Sequence, residues 1–153
     1  IRVPATGVAG SRSVDFPTDY EPEMNRFEMA HCGSGVAIIG VGNFFALAET
    51  VAEQLKQSGI DATVVNPRFL TGLDTERFEG LRDNHSLVVT LEDGVLDGGY
   101  GEKIARYYGE SEMRVMCRGV RKEFIDRYDV GEEYAANRLT PDQITADILE
   151  ILN

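Results

Sequence analysis

The residues best suited to chemistry are two adjacent carboxylates and a glycine-rich run that follow one apolar segment. Glu92 and Asp93 come directly after the segment, and residues 98–101 read Gly-Gly-Tyr-Gly. Paired carboxylates can act as acid and base where their pKa values differ, and free glycine amides at a helix start can hold an anion. The sequence has no nucleophile or cation beside the pair, and Asp97 and Glu102 would repel a phosphate. We therefore expect a carboxylate that caps loop amides and glycines that allow close packing.

Arg68 is the best placed cation for recognition. It follows Asn66-Pro67 at the end of a second short apolar segment, Ala62–Val65. In open α/β sheets, ligands and partners bind outside the carboxyl ends of strands. A guanidinium there could hold a small anion or a carboxylate of another domain by bidentate pairing. The commoner role, which we favour, is a salt bridge that holds its own loop.

Gly40 and Gly42 open a predicted helix after a buried strand, as in nucleotide-binding turns. However, Phe45 stands where that fingerprint has its third glycine, and the next strand ends at Asn66, where an acid would hold a ribose. We therefore favour a tight turn over a dinucleotide site.

Composition and charge narrow the classes of function. The 153 residues suit one domain, 42% are hydrophobic, and the net charge is −11. This acidity argues against nucleic acid as a partner, because a basic surface is needed to displace counterions. No apolar run approaches the ~18 residues of a membrane span, so we expect no membrane partner.

The potential metal ligands are scattered. Cys32 and Cys117 are far apart, and His31 and His85 belong to no cluster with metal-site spacing. We expect free thiols in a cytoplasmic protein, with no metal site. The chain starts Ile-Arg-Val-Pro without a signal pattern, so we expect it to be part of a longer protein.

Strand and helix signals alternate along the chain. Arg26–Cys32 and Val36–Ile39 predict two strands, paired as a hairpin with the first at an antiparallel edge. The later strand signals are Ala62–Val65, Ser86–Leu91 and Met113–Cys117. The predicted fold class is α/β: a three-layer sandwich around a mainly parallel sheet of about five strands with an antiparallel edge strand.

Helix ends are marked by capping residues. Asn43 and Asp74 are predicted N-caps, and Ser58-Gly59 is a predicted helix end. A further short helix is predicted near Glu102–Tyr108. Thr140-Pro141-Asp142-Gln143 has the composition of a capping box and predicts a C-terminal helix.

Two of these segments resemble the transketolase family, specifically the C-terminal domain of the 1-deoxy-D-xylulose-5-phosphate synthases. That family has a pattern close to Asp-x-Arg-Phe-x-Lys-Pro-Leu-Asp, which Arg68, Phe69, Leu73 and Asp74 match, with Thr-Gly in place of Lys-Pro. A second family pattern, His-x-x-apolar-Val-Thr-x-Glu-Glu followed by Gly-Gly-x-Gly, is matched by His85, Val89, Thr90, Glu92, Asp93, Gly98, Gly99 and Gly101. The start, Arg2-Val3-Pro4-Ala5, is similar to Arg-Tyr-Pro-Arg-Gly without the second arginine.

The resemblance implies a role for this chain within a larger enzyme. Residues 1–25 would end a preceding pyrimidine-binding domain and its linker, and residues 26–153 would form the transketolase C-terminal-like domain. The parent, a homodimer, would join pyruvate to glyceraldehyde 3-phosphate with thiamine diphosphate and Mg²⁺. Neither would be bound by this chain, which would contribute no catalytic residue of its own.

The resemblance also implies roles for individual residues. Arg2 is a candidate for the substrate phosphate, and the candidates for contacts between domains or subunits are Arg68, Glu92, Asp93, Gly98 and Gly99. Two alternatives stay open: the C-terminal domain of a 2-oxoacid dehydrogenase E1 β subunit, and a free-standing nucleotide-binding regulatory module that uses residues 40–42.

Overall fold

The computed structural model describes residues 24–124 and 129–153. Arg2 and most of the predicted linker therefore lie outside the described residues. The strands are β1 (Glu28–His31), β2 (Gly35–Gly40), β3 (Thr63–Asn66), β4 (His85–Val95) and β5 (Arg114–Val120). The helices are α1 (Phe44–Gln57), α2 (Thr75–Leu81), α3 (Tyr100–Tyr108), α4 (Val130–Ala136) and α5 (Pro141–Leu152).

The strands form one sheet in the order β1-β3-β2-β4-β5. All neighbours are parallel except β1, which runs antiparallel to β3. The predicted class, with its antiparallel edge strand, is confirmed. The predicted hairpin is wrong: β1 pairs with β3, because both sides of β2 are already occupied by β3 and β4.

Helices cover both faces of the sheet. Val36 and Ile38 point into a core shared with α1 and α5, whereas Ala37 and Ile39 point into a second core with α2 and α3. All four side chains are fully buried. This continuous apolar run is the pattern of a parallel strand that is covered on both sides.

Most of the predicted helix ends are correct. Asp74 accepts a hydrogen bond from Arg77 N, Thr140 accepts one from Gln143 N, and Gly59 follows α1 in the left-handed region at φ +84°. Asn43 precedes α1, but its side chain makes no capping hydrogen bond. Its backbone is already helical (φ −63°, ψ −21°), whereas a capping side chain needs an extended residue.

Two elements differ from the sequence prediction in extent. The strand β4 continues past Leu91 to Val95, so Glu92 and Asp93 lie within its last part. The helix α4 was not predicted, and it buries none of its residues, so it leaves no apolar periodicity to detect. No helix among the described residues has both the length and the apolar character to cross a membrane.

Candidate docking site at the carboxyl edge of the sheet

The loops that follow β3 and β4 lie at the same edge of the sheet, which we call the carboxyl edge. Only β2 separates the two strands, so they are ~10 Å apart. The antiparallel strand β1 begins at this edge, since Glu28 pairs with Asn66 at the end of β3. The polypeptide therefore enters the described fold beside the loops that carry most of the predicted contact residues.

Glu92 is turned into the protein and caps α3. Its side chain is 7% exposed, Oε2 accepts a hydrogen bond from Tyr100 N at 2.6 Å, and Oε1 accepts one from Gly101 N at 2.7 Å. A helix N-terminus attracts anions because its first amides lack partners within the helix. Here the protein's own carboxylate takes that place, which confirms the predicted structural cap.

The glycines around this cap allow the close approach. A Cβ on Gly99 would lie 2.8 Å from Glu92 Oε2, and one on Gly101 would lie 2.4 Å from Thr90 Oγ1. Gly98 adopts φ +76°, and its amide donates to Glu102 Oε2 at 2.8 Å. The steric role expected for this run is confirmed, and Glu102 binds the loop amide of its own chain.

Asp74 ties the start of the fold to the loop after β3. Its carboxylate is buried, with Oδ2 accepting from Phe27 N at 3.0 Å and Oδ1 from Arg26 Nη1 at 3.3 Å. Arg77 Nε lies 3.4 Å from Oδ2. The sequence predicted the helix cap, but the bonds to Arg26 and Phe27, 48 and 47 residues away, arise from the tertiary fold.

The same loop is held at its other side by Asn25 and Lys103. Thr71 Oγ1 donates to Asn25 Oδ1 at 2.8 Å, and a Cβ on Gly72 would lie 2.7 Å from Asn25 Cγ. Lys103 Nζ donates to Leu70 O at 2.7 Å. These contacts join the beginning of the fold, the loop after β3 and α3 into one continuous edge.

Arg68 lies partly buried within this loop. Its backbone is in the left-handed region at φ +57°, and its amide donates to Asn66 Oδ1 at 3.1 Å. The guanidinium carbon lies 5.9 Å from the centre of the Phe69 ring. The salt bridge favoured from the sequence stays a prediction. Asp93, in the last part of β4, is exposed.

Tyr100 lies within the electrostatic influence of both buried carboxylates, Asp74 and Glu92. Its side chain is 5% exposed, and its hydroxyl has no hydrogen-bond partner among the described residues. Burial, followed by the negative charges of Asp74 and Glu92, raises the pKa of Tyr100 far above its ordinary value. The phenol therefore stays neutral and offers no base to a substrate.

The glycines after β2 form a tight turn. A Cβ on Gly40 would lie 2.5 Å from Phe45 Cα, and Gly42 adopts φ +58°. The helix packs directly against Gly40, so the first glycine is required by contact between two backbones. The favoured interpretation of this segment is confirmed.

The histidines and Cys32 lie away from this edge. His31 Nε2 is 2.8 Å from Asp61 Oδ1, and His85 Nε2 is 2.8 Å from Thr63 Oγ1, both at the amino ends of the parallel strands. Burial lowers the pKa of His85. In the described ranges, no three His, Cys, Asp or Glu side chains come close enough together to hold a metal ion.

An ion-pair cluster on α5 was missed by the sequence analysis. Asp147 is 7% exposed, and its Oδ2 accepts from Arg118 Nη2 at 2.6 Å and from Arg138 Nε at 3.1 Å. The hydrogen bonds from Arg138, followed by those from Arg118, lower the pKa of Asp147. A buried acid within the stripe of α5 was the available signal, because such residues are usually paired.

Known families share this arrangement. The family described as "Transketolase, C-terminal domain" matches residues 26–144. The chain belongs to this family. The fold class and the resemblance to transketolase C-terminal domains are thereby confirmed.

Relatives of this transketolase C-terminal domain include 1-deoxy-D-xylulose-5-phosphate synthases. The chain is 35% identical over 135 residues to 1-deoxy-D-xylulose-5-phosphate synthase of Rippkaea orientalis, and this match covers 86% of the chain and 21% of that protein. It is 30% identical over 122 residues to the synthase of Shouchella clausii, covering 78% of the chain and 19% of that protein. The chain thus spans about a fifth of the length of these relatives. Their names favour neither of the two alternatives, the E1 β subunit and the nucleotide-binding module.

Solved structures agree with the fold. One described as "Split gene transketolase, inactive beta4 tetramer" matches with a TM-score of 0.79 at 26% identity and covers 94% of this chain and 45% of that chain. The R525L mutant of transketolase from Pichia stipitis matches with a TM-score of 0.56 at 17% identity, over 80% of this chain and 17% of that one. The second likeness concerns the fold alone.

Proposed function

We propose that this chain is the C-terminal scaffold of a thiamine-diphosphate-dependent enzyme of the 1-deoxy-D-xylulose-5-phosphate synthase type. The parent would join pyruvate to glyceraldehyde 3-phosphate, as a homodimer in the cytoplasm. The cofactor and its Mg²⁺ would bind in the preceding domains, to which residues 1–25 lead. In this proposal the chain contributes no catalytic residue, apart from Arg2 as a candidate for holding the substrate phosphate.

The main support comes from Glu92. A diphosphate would bind most favourably at a glycine-rich helix N-terminus with free amides. At α3 those amides already donate to the buried carboxylate of Glu92, which would also repel an added phosphate. The residues of this edge therefore do not fit thiamine diphosphate, in agreement with a cofactor held elsewhere in the parent.

The predicted contact residues fit a docking role at the same edge. Arg68 lies in the loop after β3 and Asp93 in the last part of β4, and Gly99 brings the loop after β4 against Glu92, with Gly98 beside it. The cap by Glu92 fixes this loop, so its outer surface is preorganised for a partner. We propose that these residues hold a neighbouring domain or subunit of the parent.

Titration calorimetry of this chain tests the proposal. Thiamine diphosphate with Mg²⁺, and separately NAD⁺, should give no heat of binding. Tight binding of thiamine diphosphate to this chain would overturn the scaffold role, and binding of NAD⁺ would support the regulatory module. Capture of a lipoyl acyltransferase would support the E1 β alternative.

A further inference from the structure

Two exposed apolar side chains repeat the same arrangement at the carboxyl edge, one in the loop after β3 and one at the last position of β4. Leu70 is 44% exposed and follows Arg68 by two positions, and Val95 is 43% exposed and follows Asp93 by two positions. Each of these two segments therefore offers one charged and one apolar side chain. Isolated exposed apolar residues are common on protein surfaces, but paired ones with charges beside them resemble the core and rim of an interface.

The segments that carry these side chains are firmly held. Lys103 Nζ donates to the carbonyl of Leu70 at 2.7 Å, and the amide of Leu96, next to Val95, donates to Val120 O at 3.0 Å. The two side chains are thus exposed although their backbones are fixed. Because the backbone is already ordered, less conformational entropy is lost when these side chains bind a partner, and this favours docking.

The path of the chain indicates which partner this is. Asn25 and Arg26 lie against the loop of Leu70 through bonds to Thr71 and Asp74, so the chain reaches the fold at this edge. The relatives are about four times as long as this chain. A domain that immediately precedes residue 25 is therefore tethered next to Leu70, and tethering raises its effective concentration there.

We infer that Leu70 and Val95 anchor the immediately preceding domain of the same polypeptide, with Arg68 and Asp93 as charges beside them. This inference rests on the proposed function, because it requires a preceding domain, and it commits to that domain over a second copy of this chain. Contacts between domains of one chain bury about 600–1,500 Å², so the interface would extend beyond these side chains over the carboxyl edge.

Amide hydrogen exchange tests the inference by comparing this chain alone with the full-length enzyme. Peptides covering 67–74 and 92–99 should exchange at least about tenfold more slowly in the full-length enzyme. Peptides of α4 should exchange equally in both. Equal exchange at the two loops would overturn the inference, and so would slow exchange that depends on the concentration of the isolated chain, since this would indicate a second copy.

A double variant, Leu70→Asp with Val95→Asp, supplies the causal test. In the isolated chain both positions are exposed, so the melting temperature should change little. In the full-length enzyme the variant should lose the exchange protection of both loops. Val130→Asp is the matched control, at 49% exposure on α4, and should keep it. Retained protection in the double variant would overturn the inference, whereas thiamine diphosphate binding to this chain would overturn only the proposed function.

Discussion

The two edges of the sheet differ in how their polar groups are hydrogen-bonded. At the amino edge, where β2, β3 and β4 begin, polar side chains bind one another: His85 Nε2 lies 2.8 Å from Thr63 Oγ1, which accepts from Gly33 N at 2.9 Å. At the carboxyl edge, Glu92 and Asp74 turn inward to backbone amides. Their loops leave Leu70 and Val95 exposed.

The difference lies in which groups bind the backbone amides at the carboxyl edge. Ligands of open α/β proteins bind at the carboxyl edge, where amides and helix N-termini are available. Here the carboxylates of Glu92 and Asp74 accept hydrogen bonds from backbone amides, so these amides are no longer available to an anion. Leu70 and Val95 remain exposed at this edge. The amino edge is closed by short connections and offers no comparable apolar pair among the described residues.

Gly33→Ala, at the amino edge, should cause the largest loss in the free energy of unfolding. A Cβ at this position would lie 1.9 Å from the carbonyl oxygen of Asp61, and backbone must move to relieve the clash. We expect a loss of more than about 3 kcal/mol in the free energy of unfolding, measured with urea. Gly80→Ala is the control, since a Cβ there meets nothing within 4 Å and should stabilise α2 by up to about 1 kcal/mol. Equal stability of the two variants would contradict the close packing of this turn.

Glu92→Ala should break the carboxyl edge. The amides of Tyr100 and Gly101 would lose their acceptor, and two buried unpaired donors should cost about 2–3 kcal/mol in unfolding free energy. Asp93→Ala, at the exposed neighbour, should stay within about 0.5 kcal/mol of the original. A gain in the affinity of the Glu92 variant for inorganic pyrophosphate would show that the carboxylate occupies an anion site, because the freed amides would again attract an anion. An unchanged stability would show that the cap is unimportant.

Asp147→Asn tests a buried carboxylate that belongs to neither edge. Arg118 and Arg138 are 24% and 53% exposed, so water compensates part of the lost ion pair, and we expect about 1–2 kcal/mol. The pKa of Asp147 is lower in the folded state, so its stabilisation is present above the unfolded pKa of about 3.9 and is lost as the pH falls through the folded value.

Urea denaturation of both proteins between pH 7 and pH 3 measures this effect. The difference in unfolding free energy should be constant near neutral pH and shrink in acid. A difference that grows in acid would contradict the assignment of the charged form to the folded state.

His85→Gln should have the smallest effect, confined to mildly acidic pH. Burial lowers the pKa of His85 in the folded state, so the unfolded chain takes up its proton first. The associated stabilisation is fully present above the unfolded pKa of about 6.5 and declines as the pH falls below it. The variant should therefore lose less stability than the original protein between pH 7 and pH 5. An identical pH dependence of the His85 variant would contradict the neutral imidazole.

Local sequence signals predicted the elements well where a few neighbouring residues decide the structure. The capping side chains of Asp74 and Thr140 bond amides three residues ahead, so spacing alone reveals them. The helix α4 escaped detection because none of its residues is fully buried. Asn43 failed as a cap because its backbone conformation depends on how α1 packs against Gly40.

The roles of some side chains at the site could be predicted, but their long-range hydrogen-bond partners could not. Glu92 was expected to cap loop amides, and Arg68 was expected to belong to the same edge. No local pattern indicates that Asp74 binds Arg26, or that Asp147 binds Arg118, since these partners are 48 and 29 residues apart. The exposure of Leu70 and Val95 is likewise invisible in the sequence, where an apolar residue at a strand end is expected to be buried.

The amino-acid sequence by itself determined the family, the alternation of strands and helices, and the caps, because each depends on residues close together in the chain. Only the tertiary structure decided that β1 lies beside β3 and that Glu92 closes the start of α3. It also decided that the chain enters next to Leu70. These features depend on which strand edges and amides are still free once the central strands have paired, and that is a property of the packed sheet as a whole.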